Sequence, residues 1–203
     1  DLLRGIVIVI MALDHVRDYF HADQYLYNPE DMTKTNAALF FTRWITHFCA
    51  PVFVFLAGTS AFLVGERKTK KELSVFLMKR GLWLVFLELT IIGLAWSFNP
   101  AFPFFRLQVI WVLGICMVIL GVLVYLPPKL ILAIGLLILV GHNLLDTIHV
   151  KGNSFSDFIW ALLHQPKRFF FEGRKIAIGY PIIPWLGIML LGYSAGQLYK
   201  NGM

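Results

Sequence analysis

Hydrophobic positions dominate six stretches of the chain, near residues 2–20, 39–64, 73–97, 105–126, 129–146 and 178–199, and polar positions collect between them. Stretches of this length suit helices that cross the roughly 30 Å hydrocarbon core of a bilayer, which takes about 20 apolar residues. Transmembrane β-strands are shorter and alternate between two faces, a pattern these stretches lack. The pattern predicts an all-α polytopic transmembrane bundle of about six spans, forming a single domain over residues 1–203. The sequence opens at Asp1 and stops at LYKNGM, just past the sixth run, and is read as a segment of a longer chain. The first run is followed by a polar loop without a small-residue cleavage site, so it is read as a span and not as a signal peptide.

The polar stretches set an orientation. ERKTKKE, between the second and third runs, is short and basic, and Lys79 and Arg80 follow within the third run. Such a loop is expected on the cytoplasmic side, and alternation then puts the N-terminus and the PPK turn at 127–129 there too. The loops over 22–35 and 147–177 fall outside. Within the latter, SDFIWALLHQ places apolar residues 155, 158, 159, 162 and 163 on one helical face, with Ser154 or Ser156 available as a cap. This predicts a helix lying in the membrane interface. Ala57, Ala61 and Gly65, and then Gly192 and Gly196, are small residues at four-residue spacing, which predicts close helix contacts.

Composition agrees with a membrane class: 58% of residues are hydrophobic and 15% charged, whereas a soluble domain carries about 25% charged residues. A formal charge of +6 invites a nucleic-acid reading. That reading is rejected, because the basic residues lie largely in loops and at the ends of runs, as membrane topology alone requires. Cys49 and Cys116 sit in apolar stretches without ligand spacing and are read as buried small hydrophobes. No metal or resident cofactor is expected.

The chemistry lies in polar residues inside the apolar runs. In LDHVRDYFH, residues 13–21, Asp14, Arg17, Asp18 and His21 share one helical face at offsets of zero, three, four and seven, with His15 beside them. Ionisable residues within a span are costly and mark a protein-lined or water-filled recess. Arg43 and His47 lie one turn apart in the second run, and His142, Asn143 and Asp146 close the fifth. An Asp14–Arg17–Asp18 salt-bridge network that only ties helices together would account for the first group, and a snorkelling Arg43 with a satisfied core His47 for the second; three such groups at one depth predict a shared polar chamber. A histidine there can accept a proton from an attacking amine or hydroxyl, with a carboxylate orienting its ring. No nucleophile elbow, zinc-protease motif or phosphate loop is present.

DLLRGIVIVIMALDH, CAPVFVFLAGTSAFL and YPIIPWLGIMLLGY, in this order, resemble the heparan-α-glucosaminide N-acetyltransferase catalytic-domain family, over almost the whole chain. The resemblance implies a transmembrane acyltransferase. It would move an acetyl group from cytosolic acetyl-CoA, or another acyl-CoA, to an amino sugar or other envelope acceptor on the far side. It also implies a histidine shortly after the first span as general base or transient acetyl carrier. His21 lies in that region, with His15 and His47 as substitutes, Asp14 or Asp18 orienting the ring, and Arg43 stabilising a carboxylate or an oxyanion. Arg67, Lys68, Lys79 and Arg80 would bind the donor's phosphates, and Arg17, Asn143 and Asp146 the acceptor. The expected setting is the inner (cell) membrane of a bacterium, with the lipid bilayer, a small-molecule or glycan acceptor and a second copy of the chain as partners.

Two other readings use the same residues. A proton-coupled transporter would employ the histidines and carboxylates as a relay, and Pro51, Pro181 and Pro184 interrupt runs as transporter helices are interrupted. A haem protein would use His15, His47 or His142 as axial ligands.

Overall fold

The computed structural model describes residues 2–20, 29–171 and 173–200. His21, the histidine expected in the loop after the first span, lies outside the described residues. The chain divides into two compact units, Asp1–Leu56 and Ala57–Met203.

The first unit contains α1 (Leu2–Phe20), α2 (Ala37–Thr46) and the start of α3 (Cys49–Gly65). α1 is inverted relative to a soluble helix. It exposes Leu2, Leu3, Ile6, Ile8, Val9, Leu13 and Val16, while the residues it buries are Val7 and Arg17. That distribution suits a helix with lipid outside and a polar contact inside. Asn36 caps α2, its side chain accepting from the Leu39 N–H at 2.9 Å. The helix winding lapses at His47 and Phe48, and Pro51 explains where: it has no N–H to offer the carbonyl of His47 four residues earlier. Cys49 and Cys116 are both free and buried.

The second unit continues through α3 and adds α4 (Lys70–Leu87), a π-helical turn (Glu88–Ile92), α5 (Gly93–Ser97), β1 (Phe104–Leu107), α6 (Val109–Leu123) and α7 (Pro128–Gly141). A 3-10 turn (His142–Thr147), α8 (Phe155–Leu163), β2 (Lys167–Phe171), β3 (Arg174–Ile178) and α9 (Ile182–Lys200) complete it. Glycines bring its helices together. Gly81 on α4 and Gly114 on α6 face one another so closely that a Cβ on either would meet the other's carbonyl oxygen. The anticipated Gly192 and Gly196 serve α9: Thr59 donates to the Gly192 carbonyl at 3.0 Å, and a Cβ at Gly196 would strike the Phe62 ring. Leu77, Val112, Cys116, Leu120, Met189 and Leu190 fill the core between α4, α6 and α9.

Among the described residues three helices are long and apolar enough to cross a membrane: Ala37–Gly65, Pro128–Thr147 and Ile182–Lys200. Val109–Leu123 is apolar but shorter, because residues 104–107, which the hydrophobic pattern adds to this run, form β1 instead. α1 carries Arg4, Asp14, Arg17 and Asp18, and α4 opens on Lys70, Lys71 and Glu72, so both are less apolar than their lengths imply.

The fold is mostly helical but not all-α. A three-stranded sheet in the order β1-β3-β2 has β1 parallel to β3 and β2 antiparallel to β3. The hairpin turns through Gly173 at φ 79°, a conformation glycine adopts without a steric penalty. Phe169 and Ile178 are buried under the sheet with Leu107 and Ala161, and Phe158 and Leu162 of α8 pack against them. The apolar face of α8 expected to enter the bilayer is therefore divided. Part covers the sheet, while Phe155 and Ile159 stay exposed.

Ser154 caps α8 in a reciprocal box with Asp157, and these hydrogen bonds, the hydroxyl first and the backbone N–H second, hold the Asp157 carboxyl below the usual carboxylate range. A depressed folded value means that this contribution is present above the ordinary value near 4 and is lost as pH falls through the lower folded one. Ser154→Ala should accelerate amide exchange in the first turn of α8 roughly fivefold. Wild type should show the same fraying on acidification. Unchanged exchange in both cases would remove the cap from the account.

Candidate functional site

The first unit holds a chain of alternating charges. Asp14 and Asp18 flank Arg17 on α1 because residues three and four apart share a face. Arg17 pairs with Asp14 and lies 3.5 Å from Asp18. Across the unit, Arg43 of α2 reaches both Asp14 oxygens at 3.2 and 3.1 Å, and the Thr46 hydroxyl donates to Asp14 Oδ1 at 2.6 Å. Arg43 Nε is also 3.5 Å from Glu30, whose carboxylate meets His47 Nε2 at 3.1 Å. Asp14 is thus the hub, taking two guanidiniums and a hydroxyl.

Arg17 is the unusual member. It is 8% exposed, and among the described residues its Nε and Nη1 meet no hydrogen-bond partner. It lines a cleft of about 440 Å³ with Leu13, Val16, Phe20, Asn36, Ala38, Leu39 and Thr42. An apolar cleft with buried donors is suited to an oxygen-bearing ligand with an apolar body. Arg43, by contrast, is committed to Asp14 and Glu30. His47 is committed as well: Nδ1 is 3.3 Å from the Arg43 carbonyl and Nε2 faces Glu30. His15 stands on the exposed side of α1.

The second unit carries the other expected residues. Lys68 and Lys79 line a cleft of about 390 Å³ with Lys71, Glu72, Val75 and Phe76. The Phe76 ring has Lys68 Nζ and the Arg80 guanidinium each 6.0 Å from its centre. Arg67 is exposed beside this group. Thr69 and Glu72 form a capping box on α4. At the far end of α7, Asn143 is exposed, while Asp146 accepts from His164 Nε2 at 2.9 Å.

Sequence reasoning missed four participants. Thr46 could have been found three residues after Arg43 on the same face. Glu30 and His164 carry no local signal, since each acts on residues far away in the chain. Glu88, 2% exposed on the π-helical turn, accepts the Gln108 N–H at 3.3 Å and so satisfies the start of α6, which has no side-chain cap of its own. Among the described residues no group of three or more His, Cys, Asp or Glu gathers as a metal site.

The family model described as heparan-alpha-glucosaminide N-acetyltransferase, catalytic, matches residues 1–203, the whole chain. Neither the curated proteins nor the solved structures contain a match to it.

Proposed function

The chain belongs to the heparan-α-glucosaminide N-acetyltransferase catalytic family, and from that premise we propose that it is a membrane acetyltransferase. Its donor is acetyl-CoA or another acyl-CoA, and its acceptor is an amino sugar or another amine or hydroxyl compound on the opposite side of the membrane. The match over the whole chain carries this reading, and the two clefts support it. In the reaction the acceptor nitrogen or oxygen attacks the thioester carbonyl, a base takes its proton, and CoA leaves as the thiol.

Lys68, Lys71 and Lys79 around Phe76 suit the donor: the ammonium groups meet its phosphates and the ring offers a stacking face for the base. Arg67 and Arg80 extend the positive field. In the first unit, Arg17 takes the role assigned to Arg43 from the sequence, because it lines the cleft and, among the described residues, its Nε and Nη1 have no partner. A guanidinium there stabilises the oxyanion or holds an acceptor oxygen. Asp14 and Asp18 position it. The base is a histidine of the first-span region, His15 or His21. Six crossings, a cytoplasmic N-terminus, a bacterial cell membrane and a homodimer complete the proposal, with α1 and α4 crossing despite their charges.

The transporter reading draws on one observation, the buried Glu88 carboxylate at the π-helical turn, since broken helices and buried acids recur in proton-coupled carriers. One experiment separates the two. Proteoliposomes holding a panel of amino sugars receive acetyl-labelled acetyl-CoA on the outside. The acetyltransferase should leave label covalently on an enclosed sugar. Uptake of label with no acetylated sugar would overturn it in favour of transport.

A further inference from the structure

A pair of imidazoles in the second unit has no part in the mechanism above. His142 opens the 3-10 turn after α7, and His164 directly follows α8. Their ring centres are 6.0 Å apart with the planes at 61°. The His164 side chain is 5% exposed, and its Nε2 lies 2.9 Å from Asp146 Oδ1. The carboxylate therefore takes the Nε2 proton and leaves the lone pair on Nδ1. Nδ1 of His164 and Nδ1 of His142 are both closed off from solvent, and neither has a hydrogen-bond partner among the described residues. Two buried ring nitrogens without partners, on rings whose centres are 6.0 Å apart, call for an occupant.

We propose that His142 and His164 bind one divalent transition-metal ion, zinc or a neighbour in the series, through their Nδ1 atoms. Three observations point the same way. An imidazole nitrogen lies about 2.0–2.1 Å from a bound zinc, so two rings sharing an ion have centres roughly 5–6 Å apart, close to the observed spacing. Asp146 on the opposite nitrogen of His164 reproduces the carboxylate–histidine–metal arrangement that fixes a ligand's tautomer and raises its basicity. The surrounding backbone is held in place. Trp160 Nε1 donates to the Ile148 carbonyl at 3.0 Å, the Val150 N–H donates to Gln165 at 3.0 Å, and Lys167 bonds the carbonyls of Val150 and Gly152.

Imidazole ligands favour zinc, copper and nickel over magnesium or calcium. With two protein ligands, the remaining positions belong to water or to a small amine or hydroxyl compound. The ligands are 22 residues apart with no motif between them, so spacing alone does not reveal the site.

The test is a zinc titration of the metal-stripped full chain in detergent, by competition with a chelating dye. Wild type should bind one equivalent. His142→Gln and His164→Gln should each weaken binding at least tenfold, and Asp146→Asn by roughly 10–100-fold. His142 is only half-buried, so its variant keeps the test decisive even where the His164 variant fails to fold. Copper(II) provides a local readout, because the Trp160 ring centre is 5.6 Å from that of His164. Copper should quench wild type and leave Trp160→Phe markedly less affected. Absence of zinc binding by wild type would overturn the site. Zinc binding undiminished in His142→Gln, or equal quenching in Trp160→Phe, would assign the ion elsewhere and overturn it as well.

Discussion

Asp14→Ala should destabilise the first unit by roughly 3–5 kcal/mol, the range for removing one partner of a buried ion pair. Asp14 is the common acceptor of Arg17, Arg43 and Thr46. Without it, the buried Arg17 keeps only the longer contact to Asp18, and two positive charges face each other across the gap. Asp14→Asn should be milder, because the amide oxygen still accepts from Thr46 while the charge is lost. Thermal unfolding of the purified protein, followed beside acetyl transfer, reads both effects. Under the proposed mechanism, transfer should fall at least a hundredfold in Asp14→Ala, since Arg17 loses its position in the cleft. An unfolding transition and activity matching wild type would remove Asp14 as the hub.

The second large effect is expected at the crossing of α4 and α6. Gly114→Val should cost about 3 kcal/mol, at the upper end for overpacking. A Cβ at Gly114 would lie 2.6 Å from the Gly81 carbonyl oxygen and 3.1 Å from the Val85 nitrogen. These are backbone atoms, so no rotamer change relieves the contact and the helices must separate. Gly81→Val should behave alike, because its Cβ would meet the Gly114 carbonyl and the Val118 nitrogen. The double variant should cost clearly less than the sum of the singles, since one separation accommodates both side chains. Unfolding midpoints of the three variants provide the check. Full additivity would indicate that the two glycines do not share a contact.

Much of this molecule was legible along the chain. Periodicity located the helices, and the Ser154 cap was a local signal. The offsets of Asp14, Arg17 and Asp18 placed them on one face before any partner was known. Two sequence expectations needed revision, each through a distant partner. The Phe104–Leu107 stretch left its expected helix because β3, about 70 residues later, pairs with it. The face of α8 meant for lipid found the sheet. KRFFF and RKIAI carry no apolar–polar alternation to announce strands, and a strand needs a neighbour to satisfy its backbone, which local sequence does not name.

The sequence by itself determined the membrane class, the family, Gly192 and Gly196 as small residues where helices touch, and the face of α1 that carries charge. These follow from contiguous residues, whose spacing fixes the face on which each side chain emerges. Only the tertiary structure decided that Asp14 takes Arg43 and Thr46, 29 and 32 residues away, that Glu30 engages His47, and that His164 meets Asp146 and His142. Such pairings depend on where loops return the chain. The energy of a buried charge depends on the partner it meets there, and spacing within a helix does not encode that partner.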